Sequence, residues 1–260
     1  MIDAHLHLQD PRLLSEADTI VETCREVGIS RLIVNGTRPD DWSIVTELAE
    51  RFPEVHASFG LHPWYVNEAP TGWEALLEDC LHQGAVGVGE IGLDQWIRGY
   101  DIDLQKACFK SQLRMGVARQ LPVTIHCLQA WGHLLECLQT EPLPGQGVLL
   151  HSYGGPVELI DAFVELGAYF SVSGYFFHER KRTALEALVE RVPRERLLLE
   201  TDAPDMALPD SDIRFSLAEA NHPANLVAIY TKVADMLGCS RQNLVEQTRH
   251  NARRLFGTSL

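Results

Sequence analysis

Ile2-Asp3-Ala4-His5-Leu6-His7 is the segment on which the fold prediction rests, because it is a short apolar run that carries two histidines two residues apart. Successive side chains of a β-strand point to opposite faces, so His5 and His7 would share one face of a strand. Further along the chain, seven similar short runs follow. They lie near Arg31–Val34, Val55–Phe59, Ala85–Val88, Val123–Ile125, Val148–Leu150, Tyr169–Val172 and Leu197–Glu200.

Helical patterns separate the eight predicted strands. The longest covers Asp103–Arg119, and two more, Ala224–Leu237 and Arg241–Leu255, follow the eighth strand. Eight strand-then-helix units in about 250 residues are typical of a (β/α)₈ TIM barrel. A doubly wound sheet is the rival α/β fold, but it usually has a glycine-rich turn after its first strand, and none follows His7. We therefore predict a TIM barrel with a single domain over residues 1–260.

The charge of the chain restricts its partners. It has 22 basic and 36 acidic residues, which gives a formal net charge of −14 at pH 7. Nonspecific binding to duplex DNA depends on Lys and Arg displacing counterions, and anionic membranes attract basic segments, so neither suits an acidic surface. We predict that a nucleic acid or phosphate-ester substrate binds locally in a cleft, with no membrane association.

The cysteines and the first residues predict the compartment. No two of the six cysteines form a CxxC pair, and Met1-Ile2-Asp3-Ala4-His5 lacks the features of a secretory signal. Reduced thiols are typical of the cytoplasm, so we expect a cytoplasmic protein. A barrel closes on itself without a partner, so a monomer is the default expectation.

Side chains that can bind metal fall where the predicted strands end. They are His5, His7, Glu90, His126, His151 and Asp202. Barrel enzymes keep their chemistry at the carboxyl ends of the strands, so these six side chains would converge. A single histidine at a strand end is more often a core or turn residue, but six candidates in one register predict a metal site. Imidazoles with carboxylates bind divalent transition metals, and Mg²⁺ or Mn²⁺ where oxygens dominate.

Five other residues have a functional and a structural interpretation. His62, in Gly-Leu-His-Pro, would support the metal ligands or contact a substrate phosphate. Trp64 and Trp131 would stack a base or cover the rim of the barrel. Tyr153 opens a Tyr-Gly-Gly turn whose backbone N–H groups could bind an anionic oxygen, or which is simply a tight turn. Arg180, in a basic run, is a candidate phosphate contact or part of a solvated helix start.

The chain resembles the TatD family of metal-dependent hydrolases, within the amidohydrolase-like superfamily, in an ordered series of motifs over its whole length. The motifs are Asp3-Ala4-His5-Leu6-His7-Leu8, Gly60-Leu61-His62-Pro63, Gly89-Glu90-Ile91-Gly92-Leu93-Asp94, Pro122-Val123-Thr124-Ile125-His126, His151-Ser152-Tyr153-Gly154-Gly155, Glu200-Thr201-Asp202-Ala203-Pro204, Asn221-His222-Pro223 and Asn251-Ala252-Arg253-Arg254-Leu255-Phe256. The resemblance implies a TIM barrel with a two-metal hydrolase site that acts on phosphodiesters, and relatives with deoxyribonuclease activity.

The resemblance also implies roles for the six candidate ligands. They would hold two divalent ions, Zn²⁺, Mg²⁺ or Mn²⁺, with Glu90 as the bridge between them. The two sets would be His5, His7 and Asp202 for one ion, and His126 and His151 for the other. Water shared by two such ions would supply hydroxide near neutral pH. Asp202 would then be the general base, and Glu90 would act with it at the catalytic centre.

At several positions the chain departs from the usual family pattern. Gln9 replaces an acidic residue, Cys127-Leu128-Gln129 replaces Ser-Arg-Asp, and Ala220 and His222 replace a basic residue and a glutamate. Because two expected basic side chains are neutral, two alternatives to a deoxyribonuclease stay open. One is a metal-dependent hydrolase of lactones, amides or small phosphate esters on the same barrel. The other is a metal-binding barrel that serves as a partner protein.

Overall fold

The computed structural model describes residues 1–257, in which eight parallel strands lie side by side in chain order. The strands are β1 Ile2–Leu6, β2 Arg31–Asn35, β3 Val55–Phe59, β4 Gly87–Asp94, β5 Val123–Leu128, β6 Val148–Leu150, β7 Ala168–Val172 and β8 Leu197–Leu199. Each strand pairs in parallel with the next one along the chain. The predicted TIM barrel is confirmed.

Helices occupy the connections between strands and follow the last strand. They are α1 Pro11–Leu14, α2 Ala17–Glu26, α3 Pro39–Arg51, α4 Trp73–His82, α5 Ile102–Arg119, α6 Trp131–Thr140, α7 Ile160–Glu165, α8 Arg182–Arg191, α9 Leu226–Met236 and α10 Arg241–Phe256. The longest, α5, begins where the Asp101 side chain accepts the backbone N–H groups of Asp103 and Leu104, which otherwise lack an intrahelical partner. Among the helices of residues 1–257, none is both long enough and apolar enough to cross a membrane.

The barrel closes where the chain beyond β8 meets β1. The backbone N–H of Asp202 donates to the His5 carbonyl at 3.0 Å, and the N–H of His7 donates to the Ala203 carbonyl at 2.8 Å. Asp3, buried on β1, accepts the backbone N–H and the hydroxyl of Thr201 at 2.9 and 2.5 Å. These bonds place Asp202 beside the two histidines of the first segment.

Two strands are longer than the sequence predicts. β4 continues through Glu90 to Asp94, and β5 continues past His126, whereas their apolar runs end at Val88 and Ile125. A polar side chain ends an apolar run, but it does not end a strand whose backbone stays paired with its neighbours. Gly92 faces His126 and Asp94 faces Leu128 across the pair. The polar residues therefore lie on rigid strands rather than on loops.

The segment after β8, predicted as a loop over Pro204–His222, contains a short antiparallel ribbon. Its strands are β9 Ser216–Leu217 and β10 Ala220–Asn221. The Asn221 amide donates to the carbonyls of Thr201 and Asp205, each at 3.0 Å. The side-chain oxygen of Asn225 accepts the N–H groups of Arg214 and Phe215, each at 2.9 Å. Buried amides thus hold this segment against the end of β8.

Substitution of Gly92 tests how closely the backbones of β4 and β5 must approach each other. A Cβ at Gly92 would lie 1.9 Å from the His126 backbone oxygen, which cannot move without breaking the strand pair. We expect Gly92→Ala to lower the free energy of unfolding by about 3 kcal/mol or more in urea denaturation. Gly132→Ala is the matched control, because nothing lies within 4 Å of a Cβ there, at the start of α6. The control should change stability by less than about 1 kcal/mol. Equal stability of both variants would contradict the close approach.

Candidate metal centre

His5 and His7 lie at the carboxyl end of β1, with their Nε2 atoms 3.2 Å apart. The Nδ1 atom of His7 is 2.9 Å from the carbonyl oxygen of Asn35 at the end of β2. A carbonyl only accepts, so Nδ1 carries the proton and the Nε2 lone pair faces its neighbours. Gln9 donates to the same carbonyl at 2.7 Å and so fills the space beside His7.

Glu90, almost fully buried on β4, presents its two carboxylate oxygens to two different sets of imidazoles. Oε2 lies 3.2 Å from His7 Nε2 and 3.4 Å from His5 Nε2. Oε1 lies 2.8 Å from His151 Nε2 and 3.2 Å from His126 Nδ1. Burial opposes ionisation of Glu90, but the surrounding histidines outweigh it and hold its pKa well below the usual value. Glu90 is therefore a carboxylate between two imidazole pairs.

Asp202 follows β8 and faces the first pair. Its Oδ1 atom is 3.5 Å from His5 Nε2 and 3.6 Å from His7 Nε2. The backbone of Asp202 has a φ of 51°, in the left-handed region, which turns the side chain towards β1. Burial raises the pKa of Asp202, but the nearby His7, His151 and His5 outweigh burial and lower the pKa below its usual value, so the carboxyl stays ionised.

His126 is oriented by Asp94, which lies on the neighbouring strand. Its Nε2 atom is 2.9 Å from Asp94 Oδ2, so Nε2 carries the proton and the Nδ1 lone pair faces Glu90. Asp94 also accepts the indole N–H of Trp64 at 2.7 Å. Burial raises the pKa of Asp94, but the bonds from His126 and Trp64 outweigh it and lower the pKa to about 2. A permanently charged acceptor therefore selects the tautomer of His126.

His151, at the end of β6, has a carboxylate behind it as well. Its Nδ1 atom is 3.5 Å from Glu200 Oε1, and its ring stacks on His5 with centroids 4.0 Å apart. Glu200 is held by the hydroxyl of Ser152, which donates to it at 2.6 Å, and by the hydroxyl of Ser171. Carboxylates behind metal-binding histidines typically set the ring orientation and raise the basicity of the ligand.

His62 joins the same cluster with the opposite proton arrangement. Its Nδ1 atom accepts the backbone N–H of Trp64 at 3.2 Å, and its Nε2 atom is 3.3 Å from Glu90 Oε1. Burial lowers the pKa of His62 to about 4, so the ring is neutral and carries its proton on Nε2. His62 therefore donates a hydrogen bond towards the cluster instead of offering a lone pair to a metal.

The other predicted contact residues lie outside this cluster. Tyr153 is buried among aromatic rings, and its hydroxyl donates to the Pro156 carbonyl at 2.7 Å. Trp131 packs on Tyr153, with centroids 4.6 Å apart. Arg180 is exposed, with its guanidinium 5.1 Å from the ring centre of Tyr175. The Tyr153 side chain cannot reach a substrate at the cluster, because aromatic packing turns it into the layer between strands and helices.

The donor atoms fit a divalent cation. His5, His7 and Glu90 form one group whose ligand atoms lie within 4.8 Å of one another; His5, His151 and Asp202 form another. Lone pairs of imidazole nitrogens that face carboxylate oxygens at about 3.2 Å repel unless a proton or a cation lies between them. In the metal-free protein the carboxylates offset the effect of burial and raise the pKa of His7 and His151 well above the usual value. Cations would replace those protons.

Two glutamines on α5 support the site, and neither is evident from the sequence. Gln105 bonds both the N–H and the carbonyl of Asp94, at 2.8 and 3.0 Å. Gln112, seven residues later on the same helix face, bonds the N–H and the carbonyl of Leu61 at 2.6 and 3.1 Å. Glutamine on a helix usually indicates a solvated surface, and the seven-residue spacing is the one signal that the two share a face.

A TIM barrel that gathers five imidazoles and two carboxylates at the carboxyl ends of its strands has the arrangement of metal-dependent barrel hydrolases. The comparisons agree with this class. A family model described as TatD related DNase matches residues 2–257. The chain therefore belongs to the TatD-related DNase family.

Individual relatives match over their full length. The 3′-5′ ssDNA/RNA exonuclease TatD of Citrobacter rodentium (strain ICC168) is 31% identical, over 100% of this chain and 99% of that protein. Among solved structures, the TatD homologue YJJV from Escherichia coli K12 has a TM-score of 0.90 and 25% identity, covering 98% of this chain and 97% of that one. A TatD family hydrolase from Entamoeba histolytica has a TM-score of 0.87 and 18% identity, with 98% and 97% coverage.

Substitution of Asp94 tests whether this carboxylate orients His126 for metal binding. We expect Asp94→Asn to weaken divalent metal binding by about 10- to 100-fold, because a neutral amide no longer selects the His126 tautomer. Competition with a chromogenic chelator measures this directly, and circular dichroism checks the fold. Asp235→Asn, at an exposed position on α9, is the matched control. Unchanged metal affinity in Asp94→Asn would show that Asp94 does not orient His126.

Proposed function

We propose that this protein is a metal-dependent phosphodiesterase that hydrolyses single-stranded nucleic acid. The observation that carries the proposal is the position of Glu90, whose two oxygens face two separate pairs of imidazoles. A carboxylate in this position suits a bridge between two ions, the arrangement of two-metal hydrolases. The activity in the name of the Citrobacter rodentium relative, on ssDNA and RNA, supports the substrate class.

In this proposal, Glu90 would be shared by two divalent ions, Zn²⁺, Mg²⁺ or Mn²⁺. The sets are His5, His7 and Asp202 for one ion, and His126 and His151 for the other. When bound, such ions would acidify a water molecule and neutralise charge on the phosphoryl oxygens.

The protein's own groups have separate tasks around the reacting phosphate. Asp202, ionised and beside the first pair, accepts the proton of the attacking water. His62 donates its Nε2 proton to a phosphoryl oxygen, since its other nitrogen already accepts a backbone N–H. Arg180 stays a predicted phosphate contact. The Tyr153 turn stays a predicted contact through the N–H groups of Gly154 and Gly155, because the N–H of Tyr153 already donates to the Ser171 carbonyl at 3.3 Å. The cytoplasmic location, the monomeric state and the single domain over residues 1–260 also stay predictions.

Cleavage of end-labelled single-stranded DNA and RNA tests the proposal. In Mg²⁺, Mn²⁺ or Zn²⁺ we expect stepwise shortening of the labelled strand by the wild-type protein. His126→Ala should lower the rate by about 100-fold or more, because loss of a ligand costs at least as much as loss of its supporting partner. A contaminating nuclease would cleave equally in the His126→Ala preparation, so His126→Ala is the contamination control. His133→Ala, at a half-exposed position on α6, is the matched control for a histidine substitution and should match the wild type.

Two outcomes of this assay would contradict the proposal. Cleavage that survives in His126→Ala with full metal content would remove His126 from the site. A wild-type protein that cleaves neither polymer in any of the three metals, yet hydrolyses lactones or small phosphate esters, would keep the metal centre and exclude nucleic acid.

Asp202→Asn separates proton transfer from substrate binding. An amide cannot accept the proton of the attacking water, so kcat should fall by about 100- to 10,000-fold while KM changes little. Steady-state kinetics on a short oligonucleotide give both constants, and Asp210→Asn, exposed in the same segment, is the matched control. A variant that keeps kcat and raises KM would make Asp202 a substrate-positioning residue instead of the base.

A further inference from the structure

Exposed apolar side chains gather beside the metal centre. In the part of the chain that the structure describes, the exposed large hydrophobic residues are Trp64, Leu76, Trp96, Tyr100, Leu128 and Met236. Three of them, Trp64, Trp96 and Leu128, follow or end β3, β4 and β5. Glu90 and His126 lie on β4 and β5, and His62 follows β3. We call these three residues the apolar rim. Exposed apolar groups concentrated at one place on a soluble protein usually mark a binding surface.

Hydrogen bonds to one carboxylate tie the apolar rim to the metal centre. Asp94 accepts the Trp64 indole N–H on Oδ2, where it also binds His126, and the backbone N–H of Trp96 on Oδ1 at 2.7 Å. The Leu128 carbonyl accepts the N–H of Gln95 at 2.9 Å. The Trp64 ring centre is 6.1 Å from that of His126. The apolar rim and a proposed metal ligand are therefore held by the same groups.

Trp64 is exposed and yet fixed in place. It is 41% exposed although its ring also contacts His62 edge-to-face, with centroids 4.9 Å apart. Rotation of the ring would break the indole bond to a charged acceptor, which is stronger than a bond to a neutral one. A flat apolar surface that cannot turn away from solvent is suited to stacking on a planar ligand.

The acidic net charge of the protein favours a nucleotide ligand that is bound through its planar base. The chain has a net charge of −14, and Leu128, two residues after His126, is apolar and exposed. Arg12, on the short helix α1 that follows β1, is already bound by Asp10 and Asp205 in two-pronged contacts. Away from the proposed metal ions, attraction of phosphates is therefore weak, and part of the binding energy must come from another part of a nucleotide.

We propose that the apolar rim is a nucleobase-binding subsite, where unpaired bases next to the scissile phosphate stack on Trp64 and Trp96 and pack against Leu128. The identity of the polymer rests on the proposed function. Base–aromatic stacking strengthens binding by about fivefold or more per base and tolerates every base, since each has a π-face. The affinity should then depend on the bases more than on the salt concentration.

Equilibrium binding of two matched oligomers tests this subsite. One is a fluorescein-labelled oligothymidylate with phosphorothioate linkages that resist hydrolysis, and the other is an abasic oligomer of the same length and linkage. With Mn²⁺ present, fluorescence anisotropy should show that the wild-type protein binds the base-bearing oligomer at least about tenfold more tightly, since two bases stack. That difference should persist as salt rises, because salt weakens phosphate contacts and leaves stacking in place.

Variants separate stacking from support of the metal centre. Trp96→Ala should weaken binding of the base-bearing oligomer about fivefold or more and leave the abasic oligomer unaffected. Trp64→Ala should weaken binding of the base-bearing oligomer about fivefold more than binding of the abasic one. Trp64→Phe keeps an aromatic face and loses the bond to Asp94, so it should retain much of the base-dependent binding. Leu76→Ala, which removes an equally exposed apolar side chain from α4, is the matched control and should bind as the wild type does.

The outcomes distinguish this inference from the proposed function. A protein that cleaves nucleic acid but binds both oligomers equally, with no effect of either tryptophan substitution, overturns the subsite and leaves the nuclease in place. A protein that prefers the base-bearing oligomer through Trp64 and Trp96 but cleaves no nucleic acid supports the subsite and overturns the proposed function. A protein that neither binds nor cleaves the oligomers overturns both.

Discussion

The structure depends on one buried carboxylate. Glu90 lies almost fully out of solvent, and a charge in that position is unfavourable unless it is compensated on every side. Imidazoles from β1, β5 and β6 meet its two oxygens at 2.8 to 3.4 Å, which brings the carboxyl ends of three strands to one point. The closure of the barrel beyond β8 then adds Asp202 to the same place. Compensation of the buried Glu90 charge therefore involves both the strands of the barrel and the side chains of the site.

The imidazole nitrogen atoms that face away from Glu90 also have defined hydrogen-bond partners. His7 donates outward to the Asn35 carbonyl, and His126 donates outward to Asp94. Each outward bond fixes which nitrogen faces inward, so a cation has only to replace the proton on that nitrogen. His62 is the exception, because a backbone N–H occupies its outward nitrogen and leaves a proton facing inward. Proton placement therefore divides the imidazoles into candidate metal ligands and one hydrogen-bond donor.

The sequence identifies the side chains that the structure brings together at the candidate metal centre better than the groups that support them. His5, Glu90 and Asp202 stand out because polar side chains at strand ends conflict with an apolar core and need an explanation. The Asn35 carbonyl does not stand out, since every residue has one and its use depends on the register of two strands. Gln105 resembles a surface residue until its helix is packed against β4. Tyr153 has a suitable turn, but the direction of its side chain is decided by neighbouring aromatic rings.

The apolar rim and the acidic net charge of the molecule together favour an unpaired strand as substrate. In a duplex the bases are stacked inside the helix, so Trp64 and Trp96 could reach them only after unstacking that costs a few kcal/mol. An acidic surface offers too little phosphate attraction to offset that cost. Unpaired bases carry no such cost, and their planar faces are open to the indole that Asp94 holds in place. Discrimination between single and double strands would then follow from the exposed rings, without any contact that reads a base edge.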